Sequence, residues 1–215
     1  MQSSHQHNLG YAWSQDIASV IMKPVPEPIG ILDQYIARQT ETIVLKEKIL
    51  SLTGDSFDIK LASGKPILRV DGKVFSLRGR KKVYDMSGRY LFDIYKEHLH
   101  FVHTTYVVED VEKNMKLMQV RNSFKLLGSK AKATFTSTAT GKSQSLVMEG
   151  SWLDTSADIV DESSGAIVGR IDRKMLNARE WLAGQQTYAL VVAPGVDMAL
   201  MCALCICLDE KNNDD

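Results

Sequence analysis

The chain has 215 residues, 44% of them hydrophobic, and its 26 Lys+Arg balance 26 Asp+Glu, so its formal net charge is zero. That length fits one domain, or two small ones, and the apolar content is enough for a sizeable core. The balanced charge argues against nucleic acid as a partner, because its binders carry a basic excess or a basic patch.

Residues 1–10 are rich in Gln, Ser, His and Asn, and residues 1–15 lack the continuous apolar stretch of a secretory leader. Gln2 breaks the myristoylation pattern, and the C-terminus carries no prenylation box. A short apolar patch (Ile17, Val20, Ile21, Met22) precedes Lys23-Pro24-Val25-Pro26-Glu27-Pro28, whose prolines make a stiff, extended spacer. Residues 1–28 are therefore read as a flexible arm, 29–209 as the folded domain and 210–215 as an acidic tail.

The middle of the chain reads as short strands punctuated by turns. Their expected places are 42–50, 56–61, 66–71, 74–77, 81–86, 90–96, 99–108, 115–121, 130–138, 144–150, 157–162, 166–173 and 187–193. Four turns share one dipeptide type: Ser63-Gly64, Ser87-Gly88, Thr140-Gly141 and Ser164-Gly165. Glycine there supplies the positive φ of a tight hairpin. Three of these hairpins resemble one another: Phe57-Asp58-Ile59 precedes Ser63-Gly64 and Ile67, Val83-Tyr84-Asp85 precedes Ser87-Gly88 and Leu91, and Ala157-Asp158-Ile159 precedes Ser164-Gly165 and Ile167. Such spacing indicates a sandwich or a barrel. Arg173 to Ala183 is left as a short helix or an irregular crossing.

Near the C-terminus Pro194-Gly195 stops the last strand, and Asp197 suits the first turn of a helix, where a carboxylate complements the exposed amides. Met198 to Leu208 then carries no charged or strongly polar residue. A helix apolar all round is buried all round. The run is shorter than the roughly 20 residues a bilayer requires. The simplest solution is a sheet curled around this helix. Cys202, Cys205 and Cys207 all lie in it, so a disulfide framework is not expected.

Several stretches resemble the LURP-one-related family of the Tubby C-terminal-like superfamily, which also contains the phospholipid scramblases. They are Thr42 to Phe57, Val70-Asp71-Gly72, Tyr84-Asp85-Met86-Ser87-Gly88 and Gly150-Ser151-Trp152. Asp161 to Gly165 and Gln186-Thr187-Tyr188 leading into Pro194 to Leu200 complete the series. Together they span about residues 40–210 in the family's order. The resemblance implies a closed twelve-stranded β-barrel around a buried hydrophobic C-terminal helix. It leaves function open: Tubby proteins bind phosphoinositides, scramblases are linked to lipid movement, and a shared fold does not transfer an activity.

Among candidate sites, Arg78, Arg80, Lys81 and Lys82, with Arg89 across the next turn, could clamp an anionic phospholipid headgroup. The competing reading is a solvated edge strand. Alternation sends Arg80 and Lys82 to one face and Lys81 to the other, which weakens the clamp. His98, His100 and His103 do not share a strand face, and a polar surface explains them better than a metal. Asp154, Asp158, Asp161 and Glu162 lack the alternating pattern of a calcium loop and read as turn and surface carboxylates. Thr140-Gly141-Lys142-Ser143 lacks the first glycine of a phosphate loop, Thr136 standing in its place. Trp152 and Trp181 read as core or rim packing.

The leading expectation is a non-enzymatic interaction module, with anionic phospholipids at a membrane surface or another protein as partner. It needs no cofactor or metal, and the expected place is the cytoplasm, with peripheral attachment to membranes. The alternative is an enzyme or small-molecule carrier with a pocket at the barrel mouth, for which His103, Tyr106, Glu109 and Asp161 are the candidates. Scrambling by insertion of the terminal helix ranks last, because about 11 residues at 1.5 Å each reach only about half of a 30 Å hydrocarbon core.

Overall fold

The computed structural model describes residues 21–46, 57–72, 80–97, 105–124, 129–151, 156–172 and 187–212. Twelve strands form one closed barrel: β1 (Glu41–Lys46), β2 (Phe57–Leu61), β3 (Pro66–Gly72), β4 (Lys81–Tyr84), β5 (Tyr90–Glu97) and β6 (Thr105–Asp110) come first. They are followed by β7 (Met115–Phe124), β8 (Ser129–Thr136), β9 (Ser143–Ser151), β10 (Ser156–Asp161), β11 (Ile167–Asp172) and β12 (Thr187–Val192). The single α-helix among the described residues, α1 (Met198–Asn212), follows β12. Each strand pairs antiparallel with its sequence neighbours, and β1 closes the ring on β12 over Glu41↔Val192 to Lys46↔Thr187. Closure leaves no open sheet edge, so the edge-strand reading of the basic hairpin does not hold.

The inner faces are apolar because alternate residues are. Ile43 and Leu45, Val83, Phe92 and Ile94, Val108, Met118 and Val120, and Leu190 and Val192 are all buried. The lumen is filled by α1, in which every residue from Ala199 to Leu208 is at most 4% exposed. The expectation of a sheet curled around an apolar helix holds, for the reason given: such a helix has no face that water would solvate better than side chains do. Gly169 on β11 leaves room for one side chain of the helix. A Cβ built there would stand 2.3 Å from the Met201 methyl carbon, so the missing side chain lets the helix lie against the sheet.

Antiparallel order puts the turns 62–65, 85–89, 111–114, 137–142 and 162–166 at one end of the barrel, together with the link from β12 to α1. Gly64, Gly88, Gly141 and Gly165 have φ between 66° and 86°, as the four Ser/Thr-Gly turns require, and Asn114 takes this role in the fifth at 50°. Four hairpins also carry a register shift next to the turn: β2–β3, β4–β5, β6–β7 and β10–β11. The unpaired residues are Ile67, Leu91, Leu117 and Val168. The repeated hairpins are therefore real, with one correction. Val168, buried in the core, is the counterpart of Ile67 and Leu91, while Ile167 is 42% exposed.

The expected strand 74–77 and the stretch 173–183, read as a short helix or an irregular crossing, lie outside the described residues. The expected strand 99–108 is described only from Thr105, and it continues to Asp110. The chain from Met22 to Ala37 lies across the turn end, with a 3-10 turn at Asp33–Tyr35.

Candidate functional site

The basic residues sit on β4, β5 and their turn, and the hairpin does not gather them. Lys81 alternates with the buried Val83, faces the lumen and is 4% exposed. Arg80 and Lys82 face outward, as alternation predicts. The Arg80 guanidinium donates to Asp93 Oδ2 at 2.7 Å and lies 4.4 Å over the Tyr95 ring. Asp93 is 2% exposed, so this pair is largely withdrawn from water. Tyr95, buried beneath the guanidinium and bonded to Glu109, has its hydroxyl pushed up to about 12. Lys82 stands in register between Asp71 and Asp93. Arg89 is held by Asp85, whose Oδ1 also accepts from the Ser87 and Arg89 amides at 2.9 Å. Hydrogen bonds from Ser87 hold the Asp85 carboxyl below the usual range. Arg78 lies outside the described residues.

The pocket candidates do not converge. Tyr106 faces the lumen at the end away from the turns, in register with Lys96. Glu109 faces outward beside Tyr95, and Asp161 belongs to the turn end. His103, like His98 and His100, lies outside the described residues. Asp161 caps its own turn, accepting from the Ser163 and Ser164 hydroxyls at 2.7 and 2.6 Å and from the Ser164 amide at 3.0 Å. Burial opposes its ionisation, yet these donors hold its carboxyl low. Asp158 is bound in bidentate fashion by Arg170 at 2.6 and 3.0 Å, and Glu162 pairs with Lys132. No group of His, Cys, Asp and Glu that could hold a metal ion is found among the described residues. The three cysteine thiols are buried and unbridged; burial raises Cys202 and Cys205 far above the usual thiol range, so they stay protonated.

The side chains that tie the plug were only partly legible. Asp197 is not inside the first turn but caps it, a residue before Met198. Its Oδ1 accepts from the amides of Ala199 at 2.7 Å and Leu200 at 3.2 Å. Its Oδ2 accepts from Ile31 at 3.0 Å and Leu32 at 2.8 Å, across the end of the barrel. Desolvation pushes this carboxyl up to about 6 against the four amides that favour its charge. At the other end of α1 the buried Tyr188 hydroxyl donates to Asp209 Oδ2 at 2.8 Å. No sequence signal at Ile31 or Tyr188 announces these long-range contacts.

A family model described as LURP-one-related matches residues 41–209. Protein LURP-one-related 15 of Arabidopsis thaliana is 25% identical over 198 residues, covering 89% of this chain and 90% of its own length. Protein LURP1 of the same plant is 23% identical, covering 82% of this chain and 86% of its own. A crystal structure of an Arabidopsis thaliana protein superposes with a TM-score of 0.59 at 21% identity, over 86% of this chain and 99% of the other. The matched region takes in all twelve strands, the plug helix through Asp209 and the basic hairpin, and on this footing the chain belongs to the LURP-one-related family.

Proposed function

We propose that this protein is a non-enzymatic interaction module that works from the outside of its barrel, with anionic phospholipid headgroups as the ligand of the β4–β5 hairpin. The single observation that carries this is the filled lumen. The space a small-molecule barrel would give its ligand is occupied by the buried residues Ala199 to Leu208. Recognition is then left to surface groups, and Arg80, Lys82 and Arg89 are basic side chains on the outer face and turn of one hairpin. Arg80 and Arg89 already hold carboxylates, so a headgroup phosphate must compete with Asp93 and Asp85. Weak, salt-sensitive binding is the consequence.

The test is co-sedimentation with phosphatidylcholine vesicles containing or lacking about one-twentieth phosphatidylinositol bisphosphate, at two salt concentrations. The reading expects binding only to the anionic vesicles, weakened by salt and by joint replacement of Arg80, Lys82 and Arg89 with Ala. Arg78→Ala and Lys81→Ala are added singly, because Lys81 lies in the core and its loss acts on stability too. Equal sedimentation of wild type and variants removes these residues from the function.

A further inference from the structure

Residues 22–37 precede the family-matched region, yet they are bonded into the end of the barrel where the plug enters. The Val25 and Ile29 amides donate to the carbonyls of Pro194 and Gly195, both at 3.0 Å. The Ala37 amide donates to Val196 at 2.9 Å, and the Gly195 and Asp197 amides donate back to Ala37 and Ile29 at 2.8 Å. The strap thus holds both sides of the β12–α1 link, and it also reaches β8–β9, where the Thr138 amide donates to the Gly30 carbonyl at 3.0 Å.

Two glycines make this fit possible. A Cβ at Gly30 would stand 2.4 Å from Asp197 Cβ, so only glycine lets the strap backbone reach the Asp197 carboxylate. Gly195 has φ +90°, and a Cβ there would stand 2.5 Å from a Val25 methyl. Asp197 is fully enclosed and gives one oxygen to the strap and the other to the helix, so neither pair of amides can leave without stranding a buried carboxylate oxygen.

We infer that residues 22–37 are a latch on the plug helix: the strap and the first turn of α1 open and close as one unit, and the folded domain begins ahead of residue 41. Whatever acts on the chain N-terminal to the strap then acts on the seating of the plug. The inference is independent of the headgroup reading, since it involves none of the residues of the basic hairpin.

Native-state amide hydrogen exchange on the full-length chain tests it, by comparing wild type with Gly30→Ala. Its Cβ presses on Asp197 as well as on the strap. Thr138→Ala, which removes the 2.7 Å bond to Asp33 on the strap and no bond to Asp197, is therefore read at the same four amides and separates coupling from a direct clash. The expected result is at least a roughly tenfold rise in exchange at Ile31 and Leu32, with a rise of the same factor at Ala199 and Leu200. Val120 and Ala133, in β7 and β8, keep wild-type protection. Faster strap amides with unchanged helix amides would overturn the inference, as would no change at either pair. Should Gly30→Ala fail to fold, Val25→Ala thins the contact with Gly195 more gently and is read at the same four amides, with the same two outcomes counting against the latch.

Discussion

The two ends of the barrel hold the plug helix in different ways. At the turn end a single carboxylate, Asp197, is wholly buried and serves four backbone amides from two segments of chain. At the far end Asp209 is only half-buried and accepts from the Tyr188 hydroxyl. The strand connections at the turn end are tight, with a left-handed residue and an adjacent bulge in most of them. At the far end 47–56 and 173–186 are longer, 125–128 and 152–155 are as short as the turns, and all four lie outside the described residues. At the turn end the features that pin strand register stand beside the carboxylate that seats the plug.

The comparison breaks first at Asp197. Asp197→Ala leaves four amides with no acceptor, two of them at a helix start, and is expected to cost about 4 kcal/mol or to prevent folding outright, read by urea unfolding. Gly169→Val probes the lumen between the ends. Its branched side chain meets Met201, which can shift, so a loss of about 1–3 kcal/mol is expected in the same assay. Tyr188→Phe removes the donor at the far end and should cost about 1 kcal/mol, because water can reach Asp209 in its place. A cost equal to that of Asp197→Ala would erase the asymmetry.

pH sharpens the contrast. The Asp197 carboxyl sits at about 6 in the folded chain, above the ordinary carboxylate value of about 3.9. The folded state therefore binds this proton more readily than the unfolded one. Its contribution to stability grows as pH falls from 7 through about 6 and levels off below about 4. Tyr35 from the strap and Cys202 from α1 face the same carboxyl, and neither titrates in that window. Asp85, Asp110 and Asp161, held low, act oppositely: their stabilisation is present above about 4 and is lost at more acid pH. Thermal unfolding between pH 7 and 5 should thus shift upward in wild type and stay flat in Asp197→Asn. The smallest effect belongs to the outer wall: Arg170→Ala breaks a partly exposed pair with Asp158 and should cost no more than about 1 kcal/mol.

Much of this was legible along the chain. The Ser/Thr-Gly dipeptides mark four of the five turns because positive φ is a local demand, and the apolar run from Met198 marks the plug because no solvated face is available to it. Residue alternation put Arg80 and Lys82 on one strand face and Lys81 on the other, and the structure turned Lys81 inward. Alternation could not reveal that Arg80 rests on Tyr95 and Asp93, or that Asp161 and Tyr106 occupy opposite ends, since strand pairing decides both. The sequence alone determined the strand-turn rhythm and a helix that must be enclosed, because these follow from short-range sterics and the transfer of apolar groups from water. Only the tertiary structure decided that Ile31 and Leu32 share a carboxylate with Ala199 and Leu200. That contact joins residues more than 160 positions apart, and nothing local to either segment encodes the other.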